Sequence, residues 1–130
     1  MDDESLLAEA WRVRDRAYAP YSEFAVGAAL RATDGRVFTG CNVENLSYGL
    51  TMCAERVALA SAIAAGAREF TALAVVADTK VPISPCGACR QVMAEFHVPR
   101  VILASHDERL DFSLAELLPR ASAGILDRTE

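Results

Sequence analysis

The sequence contains no run of about 18 consecutive apolar residues, so no membrane-spanning helix is expected. Its opening, MDDES, is acidic where a secretory signal is basic, and a cytoplasmic protein with no membrane partner is expected. Positive charge is not in excess. Thirteen Lys and Arg against 18 Asp and Glu leave a net charge of -5, spread in short mixed clusters. No basic face exists for a phosphate backbone, and nucleic-acid polymers are unexpected partners. Repeats, linkers and low-complexity stretches are missing as well. The 130 residues are therefore expected to form one domain, 1–130, large enough to bury a core without disulfide or metal support. Cysteine is sparse, at four residues, and in a reducing compartment these read as thiols or metal ligands before they read as disulfides.

Two stretches carry the chemistry. Thr51–Leu59, TMCAERVAL, sets a cysteine and a glutamate two residues apart at the head of an apolar run, and Ser84–Val92, SPCGACRQV, supplies a cysteine pair. Cys53, Cys86 and Cys89 offer three thiolates to a zinc ion, which takes tetrahedral N/S ligands. Three protein ligands leave the fourth position for water, the arrangement of a catalytic rather than a structural site.

In chain order, residues 3–17 carry Leu6, Leu7, Ala10, Trp11 and Val13 at helical spacing, acids in front and arginines behind, which predicts an amphipathic helix with Trp11 as a core anchor. Ala19-Pro20-Tyr21-Ser22 breaks it. Two strand-like segments, 24–33 and 36–45, meet at Asp34-Gly35, a dipeptide suited to a tight hairpin. Strand alternation puts Asn42 and Glu44 on one face, as edge residues or as substrate hydrogen-bonding groups, and Cys41 on the other as a small core residue. Residues 45–50 form a loop. Thr51 is expected to cap a helix whose body, VALASAIAA, is apolar on nearly every side and so buried, with Gly66 ending it. Ala72–Ala77 reads as a strand covered on both faces. Ser84-Pro85 opens another helix, with Ser84 as cap, that turns Val92, Met93 and Phe96 inward and stops before Pro99. Val101–Ala104 is a further buried strand, Ser113–Glu116 has the form of a capping box, and the tail from Arg120 has little to hold it. Helices between strands imply parallel crossovers. The expected fold is α/β, three layers with a mixed central sheet between helices.

Cys86 and Cys89, three apart, share a helix face, and Cys53 occupies the equivalent place at another helix start. Helix N-termini favour thiolates. Three thiolates leave one negative charge on a zinc site, which guanidinium hydrogen bonds from the adjacent Arg56 and Arg90 would offset. Glu55 lies about 200° round the helix from Cys53, awkward for joint ligation but placed to take and hand on a proton. Taken alone, Glu55 reads first as a helix-start acid favoured by the dipole. A thioredoxin-type pair would leave Cys53 unexplained, and a closed site would need Cys41, His97 or His106 as fourth ligand. His97, far along its helix, and His106, in a charged loop, read as solvated, so the open site is favoured.

NVENLSYGLTMCAER at 42–56 and PCGACRQV at 85–92, with FAVGAAL at 24–30 and ELLP at 116–119, closely resemble the small homotetrameric cytidine deaminases. The resemblance covers nearly the whole chain. It implies hydrolytic deamination of cytidine and deoxycytidine in pyrimidine salvage, one zinc per chain on Cys53, Cys86 and Cys89, and proton shuttling by Glu55. It also implies a nucleoside held by Phe24, Asn42, Glu44 and Ala54, Tyr48 lent by a neighbouring subunit so that active sites are shared, and Arg56 bonding the thiolates. Two positions depart from the family. Many members carry a phenylalanine shortly after ELLP where this chain reads RASAG, with Ser122 near that place, and Leu46 stands where many have alanine. A deaminase of another aminopyrimidine, such as blasticidin S, and a non-catalytic zinc-stapled interaction module remain as alternatives.

Overall fold

Strands with alternating apolar residues and helices with an apolar stripe bury both only when stacked in layers. The computed structural model, which describes residues 2–121, does this around one five-stranded sheet. Helix α1 (Asp3–Arg14) begins on Asp2, whose carboxylate accepts from Ser5 N at 2.8 Å. Strands β1 (Val26–Ala32) and β2 (Val37–Cys41) form the expected hairpin, with Gly35 at φ 93° and Arg36 N donating to Asp34 Oδ1. Helix α2 (Ala54–Ala64), strand β3 (Phe70–Ala77), helix α3 (Gly87–Glu95), strands β4 (Arg100–Ala104) and β5 (Arg109–Ser113) and a short helix α4 (Leu114–Leu117) complete the order. The sheet runs β2-β1-β3-β4-β5, with β3 and β4 parallel and the other pairs antiparallel.

The period-2 alternation of the strands sorts the core into two sides. Leu30, Leu73, Val75, Val101 and Leu103 pack with Ala58 and Leu59 of α2 and Met93 of α3. Ala29, Ala72, Ala74, Val76 and Ile102 pack with Leu6, Leu7 and Ala10 of α1. This is the three-layer α/β arrangement expected from the sequence. Gly40 decides how close α2 lies: a Cβ there would stand 2.4 Å from both Ala54 O and Ala58 N. Only a residue without that carbon lets the first turn of α2 rest on β2.

Several expectations are corrected. The first helix stops at Arg14 because the chain must turn for Tyr18 to pair its backbone with Asn42 and Glu44, at 3.0 and 2.8 Å. The hairpin strands are shorter than 24–33 and 36–45, since Val43 leaves the sheet to bridge Tyr18 and Met52. Trp11 is only half-buried and stacks on exposed His106, centroids 4.1 Å apart. Cys41, on the edge strand, is half-buried as well. Helix α2 is not covered all round: Ala60, Ser61 and Ala64 are exposed, because the sheet takes only one side of it. Strand β5 is unexpected. Its side chains are mostly solvent-facing: Leu110 and Phe112 alternate with Arg109, Asp111 and Ser113, but the run is only five residues and Phe112 alone packs against the core, while Arg100, Arg109 and Asp111 pair across it and with Asp3. The capping box at Ser113 and Glu116 is present as expected. Most of the tail, with Ser122, lies outside the described residues.

Candidate active site

Helices α2 and α3 lie on the same side of the sheet, and their starts bring the two cysteine motifs together. The expected caps are displaced by two residues: Cys53, not Thr51, is the N-cap of α2, and Cys86, not Ser84, is that of α3. Thr51 closes the 3-10 turn Tyr48–Leu50, and its hydroxyl accepts from Asn45 N. Pro85 is buried before the cap and Cys86 Sγ accepts from Cys89 N at 3.4 Å, a bond a serine cap would otherwise make.

The Sγ atoms of Cys53, Cys86 and Cys89 all lie within 4.8 Å of one another, with Cys53–Cys86 at 3.9 Å and Cys86–Cys89 at 3.4 Å. Tetrahedral zinc with Zn–S bonds of about 2.3 Å separates its sulfurs by roughly 3.8 Å. The donor set therefore fits zinc, while Cys41, His97 and His106 stand outside the cluster. The hydrogen bond with Cys89, seconded by Arg56, holds the Cys53 thiol down to about 5. Cys89, the other partner of that bond and fully buried, is pushed up.

Of the two arginines beside the motifs, Arg56 reaches a sulfur. Its Nη2 donates to Cys53 Sγ at 3.6 Å and to Thr51 O at 3.3 Å, while its Nε is buried with no partner among the described residues. Arg90 does not: it reaches no sulfur and instead donates to the carbonyls of Pro85 and Leu117. Glu55, one residue past Ala54 in the first turn of α2, is 4% exposed. Burial raises its carboxyl above the ordinary carboxylate range, with the neighbouring Cys53 charge adding to the effect. A carboxyl so placed holds its proton more readily than an exposed helix-start acid does, which suits a group that takes and returns a proton.

A second group of expected residues gathers beside the first. Glu44 and Tyr48 line a cavity of about 390 Å³ with Tyr21, Ser22 and Thr51. The Glu44 carboxylate accepts from Tyr21 N at 3.0 Å, from Ser22 N at 3.1 Å and from the Ser22 hydroxyl. These bonds lower its pKa, that from the Ser22 hydroxyl foremost. Asn42 is buried and turned to the same segment, accepting from Val26 N at 2.9 Å and donating to Phe24 O at 2.7 Å. Phe24 is exposed, and Tyr48, edge-on to Tyr21, is 74% exposed. Thr51 joins the two groups, lining the cavity while its carbonyl accepts from Arg56. The sequence reading missed Tyr21, Ser22 and Thr51 here. The available signal was Ser22, a short polar residue at the end of the break that begins at Pro20, where a side chain serves the backbone of its neighbours.

Residues 1–105 match the model for the cytidine and deoxycytidylate deaminase zinc-binding region. The chain is 52% identical over 124 residues to a cytidine deaminase of Sporosarcina psychrophila, covering 93% of this chain and 91% of that one. It is 46% identical over 121 residues to a cytidine deaminase of Mycobacterium tuberculosis, covering 93% and 90%. Among solved structures, a cytidine deaminase from Burkholderia pseudomallei superposes with a TM-score of 0.89 at 55% identity, over 92% of this chain and 98% of that one. That from Mycobacterium tuberculosis gives 0.79 at 42% identity, over 92% and 95%. With three sulfurs set for a metal ion, a buried carboxyl at their side and a family match running through both cysteine motifs, the chain belongs to the cytidine and deoxycytidylate deaminase zinc-binding family.

Proposed function

We propose that this chain, acting as one catalytic domain in the cytoplasm, hydrolyses cytidine and deoxycytidine to uridine and deoxyuridine with release of ammonia, in pyrimidine salvage. The observation that carries this reading is Glu55, buried beside a three-sulfur site that fits zinc. Zinc, when bound, supplies a Lewis acid that makes water nucleophilic at neutral pH. Cys53, Cys86 and Cys89 hold it, and Arg56 disperses the charge of their thiolates. Glu55 takes a proton from the attacking water and gives it to the ring nitrogen beside C4. Attack at C4 then leaves a tetrahedral carbon, and Glu55 carries the second proton to the departing amine. Water and cytidine go in, uridine and ammonia come out, and Glu55 ends as it began. Its burial keeps bulk water from competing for the proton.

The sugar is read by Asn42 and Glu44. A carboxylate has about four acceptor sites, and Glu44 uses three on Tyr21 and Ser22, leaving one for a sugar hydroxyl. Asn42 likewise keeps one donor and one acceptor position after its two backbone bonds. Phe24 and the Ala54 backbone at the helix start contact the base. The working form is a homotetramer in which Tyr48 reaches the site of a neighbouring copy. Two features support this: Leu46, Tyr48 and Leu50 are all exposed, and Met52, Leu59, Ile63, Val92 and Phe96 line an apolar groove of about 510 Å³ on α2 and α3 that the single chain leaves uncovered.

The test is ammonia release by purified zinc-loaded protein on cytidine, deoxycytidine, cytosine and blasticidin S. Turnover of the two nucleosides well above the others is expected. Preference for blasticidin S, or no turnover of any substrate at full zinc content, overturns the proposal. Light scattering that gives a monomer of 14.0 kDa at working concentration overturns the shared site.

A further inference from the structure

The three sulfurs are not held in the same way. Cys89 is fully buried in the core on α3, and Cys53 is half-buried and bonded by Arg56. Cys86 is exposed, so packing contributes least to its direction, and its backbone must orient it instead. That backbone is gripped by one residue. The Arg90 side chain donates its Nε to Pro85 O at 2.9 Å, and the main-chain N–H at this position makes the first helical bond of α3, to Cys86 O at 3.0 Å, as any residue there other than proline would. Two consecutive carbonyls flanking the Cys86 Cα are thereby tied to one point on α3. Pro85, with φ restrained by its ring, adds a stiff link on the N-terminal side. The orientation of both peptide planes determines where the Cys86 Cβ, and so its sulfur, is aimed.

The guanidinium has a second hold. Arg90 Nη1 donates to Leu117 O at 2.7 Å, on the last residue of α4, across 27 positions of sequence. Helix α4 has four residues, too few to be stable by its own hydrogen bonds, and depends on its capping box, on Leu114 N bonding Pro99 O at 3.1 Å, and on this contact. We infer that Arg90 is a positioning residue that aims Cys86 at the metal and couples metal retention to the docking of α4. The inference rests on the three cysteines being the zinc ligands, as proposed above. It assigns Arg90 a different role from Arg56: its donors serve carbonyls and act on the sulfur through the backbone. The fork geometry matters because one planar group reaches the carbonyls of Pro85 and Leu117; a lysine, with a single nitrogen, can serve one.

The test uses the full chain, zinc-loaded, as wild type, Arg90→Gln and Arg90→Lys. Arg68→Gln serves as control, because Arg68 clamps the carbonyls of Ile63 and Ala67 at the far end of α2, away from the sulfurs. Zinc release to a chromogenic chelator is expected to quicken by about 10 to 100-fold in Arg90→Gln, the usual size of effect for residues that support metal ligands. Arg90→Lys should fall between that variant and wild type, and Arg68→Gln should release zinc as wild type does. The thiolate-to-metal absorption of the cobalt-substituted protein should shift in the Arg90 variants alone. Amide exchange at Leu117 and Leu118 should slow on zinc loading in wild type and not in Arg90→Gln. Zinc release within twofold of wild type in both Arg90 variants, or cobalt spectra identical to wild type, overturns the inference. Should Arg90→Gln fail to fold, Arg90→Lys decides by the same two readings. None of these measurements uses a nucleoside, so a failure of the substrate assignment leaves them standing, whereas wild-type protein that retains no zinc removes both.

Discussion

Replacing Glu55 with glutamine should separate turnover from stability, and in opposite directions. The substitution keeps shape and hydrogen-bonding capacity but removes the exchangeable carboxyl proton. Proton transfer by a positioned side chain contributes about 10² to 10⁴ in rate. At 4% exposure, Glu55 leaves little room for bulk water to act in its stead, so the upper figure is expected, about 5.5 kcal/mol in the barrier. The folded state meanwhile gains. Burial raises the Glu55 pKa, which means the native chain disfavours the ionised carboxylate at neutral pH, and a neutral amide carries no such penalty. The assay pairs three measurements on purified protein: zinc content, turnover of cytidine by ammonia release, and thermal midpoint of the metal-free chain. Zinc near one per chain, turnover down at least a thousandfold and a midpoint equal to or above wild type are expected. Lost zinc would make Glu55 a structural or ligand residue. Near-normal turnover would remove it from the reaction, and a midpoint several degrees lower would refute the claim that its burial is costly.

The remaining predictions concern the scaffold and the metal. In Gly40→Ala the new Cβ must gain about 1 Å to reach ordinary contact with Ala54 O and Ala58 N, which costs about 1–3 kcal/mol and should lower the melting midpoint by several degrees. Since α2 carries Cys53 and Glu55, turnover should fall in the same variant, and unchanged activity would show that the close approach does not set the site. Cys89→Ala should abolish stoichiometric zinc and all turnover, measured by metal analysis and ammonia release, because two sulfurs remain on an incomplete set. Asp3 accepts from Arg100, Arg31 and Arg109, and the Arg100 bond chiefly holds its carboxyl down at about 2. Its contribution is therefore present above the ordinary pKa of 3.8 and is lost as pH falls through about 2. Asp3→Asn should cost on the order of 1–2 kcal/mol near pH 6, after allowance for solvent screening of a partly exposed group. The gap from wild type in denaturant unfolding should close between pH 4 and pH 2, and a gap that stays constant would refute the ion-pair account.

What the sequence alone determined is local and periodic. Asp34-Gly35 dictates the hairpin because a glycine tolerates φ 93°, and Ser113 with Glu116 dictates a capping box because both partners lie within one turn. Ala72–Ala77 announces a strand covered on both sides, and the spacing of Cys86 and Cys89 announces a chelating pair. The position of Cys53 and Glu55 at a helix start was likewise legible, though two residues separate the expected caps from those the chain uses. Only the tertiary structure decided which distant groups meet. Strand β5 gains its place from pairing with β4 and from arginine–aspartate contacts reaching back to Asp3, partners that no window of sequence contains. The Glu44 carboxylate finds the backbone of Tyr21 and Ser22, 23 and 22 residues away, because the chain turns after α1 to pair Tyr18 with the end of the hairpin. Arg56 and Arg90 look alike beside their motifs, yet one reaches a sulfur and the other two carbonyls. Side-chain reach around a helix end is set by what packs there, and what packs there is known only once α2, α3 and α4 share one side of the sheet.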